Sequence, residues 1–389
     1  MARSADRFPE LKKLTPEITP ETNISLLEIM ASSMLVIATF AVGSMITAYG
    51  SASNTATPRS FPLVISDDTT QTALSSFIGA FIFSIVALVA LYNSYYGHVG
   101  QFALFVLILV VFAWVIIMFV SWVDDIARLG RLGNTIDKVE KAAAESLARR
   151  RLAPTLGACT WDGQNPFSRP VHAAKFGYVQ QVDMSGLQDF CEEQDCRIQV
   201  EALPGKFAGP NQVLAYIECD EDSLSDEQVG KLIEKFRIGD DRVFDDDPRF
   251  GLIVLSEIAG RALSPAVNDP GTAIDILGTL VRLFADWVKP LEDTETDVKF
   301  DRVYARALSV ADMVDDAFAM ILREGAGSPA VAIRLQKSFA ALARLDDDAL
   351  RRTIIEHSAM GLAQCKQALA LPQDIEAVTA VADSISDKV

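Results

Sequence analysis

The stretch from Gln101 to Trp122, QFALFVLILVVFAWVIIMFVSW, contains no Asp, Glu, Lys or Arg. A helix needs about 20 apolar residues to cross the hydrocarbon core of a bilayer, and this run supplies them. Backbone amides in lipid have no water to bond, so a helix is the expected conformation. Two further runs precede it. LLEIMASSMLVIATFAVGSMITAY covers residues 26–49 and ALSSFIGAFIFSIVALVALY covers residues 73–92. Three transmembrane helices are therefore expected, at about 26–49, 73–92 and 101–122. The first is rich in Ser and Thr and contains Gly43, residues that favour close helix packing. It is expected to face the interior of the assembly or a neighbouring copy.

Orientation follows from the basic residues flanking the spans. Arg128, Arg131, Lys138, Lys141 and the run Arg149–Arg151 follow the third span, whereas YNSYYGHVG between spans two and three has no Lys or Arg. The region after the third span is expected in the cytoplasm of a bacterial cell, with the protein in the inner (plasma) membrane. The N-terminal tail, 1–25, is then outside, although Arg3, Arg7, Lys12 and Lys13 sit in it. The opening residues are polar and lack the apolar segment of a cleavable signal peptide. Tyr92, Tyr95, Tyr96 and Trp122 stand at span ends and are expected as interfacial anchors. The connection between spans one and two, GSASNTATPRSFPLVISDDTTQ, is small, polar and broken by proline. It fits a surface linker. It also fits a re-entrant or pore-mouth loop in which Ser51, Ser53, Thr55, Thr57 and Arg59 meet permeants or lipid headgroups.

The rest of the chain has a different composition. Residues 1–123 hold five Lys/Arg and seven Asp/Glu, so nearly all of the formal net charge of −17 falls after them. Such acidity excludes nucleic acid as a partner, since that interaction rests on neutralising phosphates. Cys159, Cys191, Cys196, Cys219 and Cys365 are scattered without zinc or redox spacing, as free thiols in a reducing compartment would be. His98, His172 and His357 are isolated from one another. No metal and no cofactor is expected.

Residues 124–170 read as an amphipathic helix and a linker. Ile126, Leu129, Leu132, Ile136 and Val139 recur at helical spacing, and Arg149–Arg151 would touch anionic lipids or close a solvated helix end. Pro154, Pro166 and Pro170 then break the chain. Residues 171–222 read as a small β-rich module: KFGYVQQVD, CRIQVEAL and VLAYIECD alternate like strands, and SGLQDFCEEQ is helix-like. Residues 223–389 read as a helical domain, with helices at 225–236, 248–263, 270–289, 300–324, 328–345, 347–370 and 373–386. The fold class is thus a three-span α-helical membrane protein with a cytoplasmic α+β region, a β-rich module followed by a helical bundle. The acidic stretch IGDDRVFDDDPRFG, 238–251, fails the spacing of a calcium loop and reads as a solvated, Arg-compensated loop, or else as a divalent-cation or partner site.

The segment RALSPAVNDPGTA, 261–273, is dense in special residues. Pro265 stops one helix at Ser264. Asp269 caps the next, and Pro270 falls at its first position, where a missing N–H costs nothing. Punctuation leaves Asn268 unexplained. Arg261, Ser264, Asn268, Asp269 and Thr272 are candidates for a ligand contact or a structural motif, with Arg261 available to pair with Asp269 or Glu257. No nucleophile–base arrangement accompanies them, so no catalytic residue is assigned and no enzyme is expected.

This segment resembles the signature of an uncharacterised bacterial family of membrane proteins, domain-of-unknown-function family 2254. DDDPRFGLIVLSEIAGRALS, GYVQQVD, PGKFAGPNQVLAYI, GSMITAYGSASNTATPR and SSFIGAFIFSIVAL are similar to further family segments. Family members carry an additional membrane helix near the N-terminus, so a three-span variant or a trimmed start is expected here. The residues after Ala52 depart from the family's Ser-Ser-Gln-type run. The resemblance implies a bacterial inner-membrane protein with a cytoplasmic domain and implies no reaction. The small, hydroxylated first span and the polar loop after it make a homo-oligomeric ion channel or transport-type pore the leading expectation, with the bilayer, copies of the chain and small ions as partners. The alternative is a membrane-anchored sensor or scaffold that binds a small ligand or partner protein through its cytoplasmic domain.

Overall fold

A computed structural model describes residues 16, 18–55, 57–65, 68–129, 131–161, 163, 168–219, 224–291 and 298–386. The N-terminal residues 1–15, including Arg3, Arg7, Lys12 and Lys13, lie outside them. The chain divides into two compact units, residues 1–135 and 136–389.

The first unit holds three long helices, α1 (Pro20–Thr55), α3 (Asp68–Tyr92) and α4 (His98–Leu129), with a short α2 (Phe61–Ile65) after the first. The apolar stretches within the long helices are Pro20–Ser51, Thr69–Tyr92 and His98–Arg128, with mean hydropathies of 2.0, 2.5 and 3.3. Each exceeds the length a bilayer core requires and contains one of the three spans read from sequence. Leu27, Met30, Met34, Ala38 and Ala41 line one face of α1 and pack with Ala73, Phe77 and Ala80 of α3 and with Leu104, Ile108 and Val115 of α4.

Trp122 corrects an expectation. It is 2% exposed, and its ring meets Phe77 edge-on at 6.4 Å and Phe119 at 6.0 Å. Because α4 runs on to Leu129, Trp122 is not a helix end, and its side chain turns into the helix contact. Tyr92 and Tyr95 are exposed at the end of α3, where Tyr92 donates to Glu28 Oε1 at 2.9 Å. At the same end, Asn23 Nδ2 donates to the Gln101 carbonyl at 3.0 Å.

The second unit begins in α5 (Leu132–Leu152). A five-stranded sheet follows, built from β1 (Ala158–Thr160), β2 (Arg169–His172), β4 (Arg197–Val200), β6 (Val213–Glu218) and β8 (Phe300–Ala305) in the order β1-β8-β4-β6-β2. A three-stranded sheet joins β5 (Phe207–Ala208), β3 (Gly177–Val182) and β7 (Phe236–Gly239) in that order. β8 runs parallel to both neighbours, with Val303 opposite Ile198 and Ala305 opposite Val200. Residues 300–305 are thus not the start of a helix, and strand pairing is not confined to 171–222. Val303 and Ala305 are buried while Arg302 and Tyr304 between and beside them are only partly so, the period-two alternation of a strand rather than a helical stripe. Residues 158–160 and 169–170, read as linker, pair as strands in this sheet.

Helix α6 (Met184–Glu193) packs on β8 and β4, and its Cys191 and Leu187 join Ile198, Leu214, Ile217 and Val303 in one core. The remaining helices are α7 (Asp226–Ile233), α8 (Pro248–Leu263), α9 (Pro270–Trp287), α10 (Val310–Gly325), α11 (Pro329–Leu342), α12 (Asp348–Ala368) and α13 (Pro372–Ser386). Ser225 and Gln228 close a reciprocal capping box on α7, as their spacing predicts. Phe318 stacks on Phe284 with ring centroids 5.9 Å apart and meets Phe339 edge-on at 5.1 Å. Gly251 of α8 lies against α5, where a Cβ would come within 2.4 Å of the Ala143 Cβ.

The arginine run at the end of α5 bonds backbone carbonyls, with Arg149 exposed and Arg150 buried. Arg149 donates to the Asp245 carbonyl, Arg150 to the Asp246 carbonyl at 3.3 Å and Arg151 to the Asp286 carbonyl at 2.7 Å. The run therefore ties α5 to the acidic stretch and to the end of α9. Phe318 is fully buried between two rings. We expect Phe318→Ala to destabilise the second unit by about 3–5 kcal/mol, read from denaturant unfolding of the purified chain.

Candidate functional site

The joint between α8 and α9 is explained largely by its own hydrogen bonds. Ser264 leaves the helix in an extended conformation, and its hydroxyl donates to the Arg261 carbonyl at 2.7 Å. The Asn268 and Asp269 amides donate back to Ser264 and Ala262 at 2.8 and 2.7 Å. Asn268 has φ 48°, in the left-handed region, which asparagine tolerates better than other residues with a Cβ. That backbone position accounts for the asparagine that helix punctuation left over. Asp269 caps α9: one carboxylate oxygen accepts from the Thr272 amide at 3.1 Å, the other from its hydroxyl at 2.6 Å. Thr272's hydroxyl and then its amide hold the Asp269 carboxyl below its ordinary range. Arg261 is exposed, not buried, and the Asp269 carboxylate is directed to Thr272. The segment is a rigid joint with an exposed tip at Pro265–Asn268.

The second candidate set lies in the first unit. Ser51 is within α1, and the side chains of Ser53 and Thr55 lie outside the described residues. Thr57 is buried and Arg59 exposed, in a single tight turn, Pro58–Ser60, before α2. Val64 of α2 packs on Ala48 and Tyr49, and the Phe61 ring meets Tyr49 edge-on at 6.2 Å. Part of this connection is thus a folded cap on the end of α1.

The site with chemistry was not singled out from sequence. A cavity of about 410 Å³ in the second unit is lined by Arg150, Lys206, Arg242, Arg249 and Arg306, with only Glu201 and Asp312 as acidic lining residues. Its apolar lining includes Leu203, Pro204 and Leu308. Five cations around one cavity stand out in a chain of net charge −17. They arrive from the end of α5, the loops holding Lys206, Arg242 and Arg306, and the first turn of α8.

Part of this charge is internally compensated. Arg242 Nε donates to Asp247 at 2.6 Å, and Asp247, 1% exposed, also caps α8. Arg249 donates to Asp316 and, at 2.7 Å, to Asp312. Burial works against the Arg249 charge, but attraction by Asp316, Asp312 and Asp247 outweighs it and raises its pKa. Burial raises the Asp316 carboxyl in spite of that contact. Lys206 pairs with Glu201 at 2.9 Å. Burial would raise the Glu201 carboxyl, yet Lys206, Gln199 and Arg306 bring it below its usual range.

Two guanidiniums differ from these. Arg306 lies over the Trp161 ring, 4.1 Å from its centroid, a cation–π contact that leaves its donors available. Arg150 is 3% exposed, and burial lowers its pKa against the pull of Asp247 and Asp246. Among the described hydrogen bonds it makes the one to the Asp246 carbonyl, while a guanidinium carries five donors. Gly205, at φ 95°, permits the close approach of its loop: a Cβ there would lie 2.5 Å from Asp247 Oδ2.

A trace of this site exists in the sequence. The buried positions Val139, Ala143 and Leu147 of α5 recur at helical spacing, and the next position of that stripe is Arg150. An arginine on the apolar face of a helix is the sign of an interior charge. The acidic stretch 238–251 is Arg-compensated, with the Asp245 and Asp246 carbonyls and the Asp247 carboxylate all accepting from arginines.

Three apolar helices long enough to cross a membrane, followed by a mixed helical and sheet unit, define the class of a membrane protein with a folded C-terminal part. Residues 2–341 match the family described as predicted membrane protein (DUF2254), and the chain belongs to that family. The uncharacterized protein MT1328 of Mycobacterium tuberculosis (strain CDC 1551 / Oshkosh) is 27% identical over 197 residues, covering 48% of this chain and 37% of that protein. The uncharacterized protein Mb1321c of Mycobacterium bovis (strain ATCC BAA-935 / AF2122/97) is similar at the same identity and coverage. The matched stretch thus spans little more than a third of these relatives. No solved structure matches the chain.

The joint makes two distinguishing predictions. We expect Asn268→Gly to leave thermal stability nearly unchanged and Asn268→Ala to cost about 1 kcal/mol, the penalty of a left-handed alanine. Asp269→Ala loses a helix cap at a cost of about 1 kcal/mol. The cap's contribution is complete above the unfolded carboxyl pKa of about 3.9 and disappears as pH falls through the lower folded value. The wild-type and Asp269→Ala stability curves should therefore converge below that range in urea titrations.

Proposed function

We propose that this chain is a membrane-anchored receptor that binds a small anion in the basic cavity of its C-terminal unit. The observation that carries this reading is the convergence of five cations on one cavity within an acidic chain. Its volume of about 410 Å³ falls in the range of small-molecule sites. The nearly buried Arg150 supplies charge in a setting where solvent screens it least. Arg150 stands in the last turn of α5, the helix in which the second unit begins. An anion at Arg150 bears directly on the last turn of α5. In this reading the chain is not an enzyme. It sits in a bacterial inner membrane with the C-terminal unit in the cytoplasm.

One observation favours a second reading, a pore built from several copies. Ser32, Thr39, Gly43 and Thr47 lie on the exposed face of α1, where small residues would permit close approach of a second α1. Their hydroxyls are already bonded to the helix's own carbonyls: Ser32 to Glu28 at 2.9 Å, Thr39 to Val36 at 2.9 Å and Thr47 to Gly43 at 3.0 Å. The face therefore suits self-association in lipid without needing a water-filled channel.

The receptor reading is tested by thermal unfolding of the detergent-solubilised full chain against citrate, sulfate and phosphate at constant ionic strength. An anion at 100 times its Kd should stabilise by about 2.7 kcal/mol. The exposed-cation variant Arg306→Glu should lose most of that shift while keeping the unliganded midpoint. Shifts no larger than those from sodium chloride at equal ionic strength would reject the reading.

A further inference from the structure

We infer that the group recognised in the cavity is a phosphoryl monoester, an inference that rests on the anion-receptor reading and specifies its ligand. Five lining cations against Glu201 and Asp312 leave three positive charges over, and counting Asp247 and Asp316 behind the lining still leaves one. A phosphate monoester, at about −1.5 to −2 near pH 7, suits that range.

Geometry narrows the choice further. The guanidiniums of Arg150, Arg242, Arg249 and Arg306 reach the cavity from three chain regions, the end of α5, the stretch 238–251 and the loop after β8. A planar carboxylate is served by one such fork, whereas the oxygens of a tetrahedral phosphoryl group accept from several directions at once. Two helix beginnings add to this. Arg249 is in the first turn of α8 and Asp312 in the first turn of α10, so the N-terminal ends of both helices border the cavity. Their dipoles favour an anion there.

Arg150 is the most enclosed of the lining cations. It is nearly buried, lacks a carboxylate ion pair among the described residues and lines the cavity. A nearly buried guanidinium on a cavity wall presents its unused donors to a ligand oxyanion where solvent screens its charge least. Arg306, exposed on its Trp161 ring, can swing onto a bound ester without breaking an ion pair. Leu203, Pro204 and Leu308 give the organic part of the ester an apolar rest.

The ester could be a soluble metabolite or the headgroup of a lipid such as phosphatidic acid. Both present the same chemistry, and the test separates them. Isothermal titration of the full chain in detergent uses glycerol 3-phosphate and, as a planar dianion control, malonate, at fixed ionic strength. We expect glycerol 3-phosphate to bind at least tenfold more tightly than malonate, and its affinity to fall severalfold between pH 7 and pH 5 as the phosphate takes up a proton. Arg150→Met should weaken it at least tenfold. Should that variant fold poorly, the exposed Arg306→Gln should still weaken it severalfold with unchanged circular dichroism. Vesicles of phosphatidic acid in phosphatidylcholine that displace glycerol 3-phosphate would identify a lipid source, and failure to displace it would identify a soluble one. Malonate binding as tightly as glycerol 3-phosphate would overturn the phosphoryl inference and leave the anion reading standing. No heat from either anion would overturn both.

Discussion

The contacts made by three consecutive arginines at the end of α5 organise the second unit. Arg149, Arg150 and Arg151 donate to backbone carbonyls at Asp245, Asp246 and Asp286, and so fix one helix against two distant parts of the chain. A helix C-terminus favours cations, but the dipole alone would leave them in solvent. Here Arg149 and Arg150 are matched to carbonyl oxygens of the acidic stretch, and Arg151 to those at the end of α9. That arrangement holds the acidic stretch in place, seats Asp247 at the start of α8 and directs Arg150 to the cavity.

The rest of the cavity follows from this placement. Asp247 accepts from Arg242 and caps α8, and the first turn of α8 carries Arg249 to Asp312 and Asp316 of α10. The parallel strand β8 ends at Ala305 and delivers Arg306 beside the same opening. A network of compensated charges of this kind is first a structural device, and a buried ion pair is weak evidence for stability. What exceeds structure is the surplus: a nearly buried guanidinium without a carboxylate partner among the described residues, and an exposed one resting on an aromatic ring.

The three spans were legible because lipid imposes a simple rule on sequence: a long apolar run must be a helix. The α8–α9 joint was legible for a similar reason, since Pro265, Asp269 and Pro270 restrict backbone conformation locally. Asn268 needed the structure, because a left-handed φ has no unique sequence sign. β8 was missed because Phe300–Ala305 is short and is followed within five residues by a helix, and its partners β1 and β4 are remote in sequence. The cavity was missed on the same grounds. Its cations lie at 150, 206, 242, 249 and 306, and nothing local shows that they meet. Only Arg150 left a sign, as the charged member of an otherwise apolar helical stripe.

The central claim is that the cavity is a binding site whose occupancy is felt by α5. Hydrogen–deuterium exchange of the full chain, with and without saturating glycerol 3-phosphate, tests it most directly. The account predicts slower exchange in three places together: residues 201–206, residues 306–312 and the last turn of α5. Unchanged exchange in all three, or protection confined to the exposed loops with α5 unaffected, would contradict it.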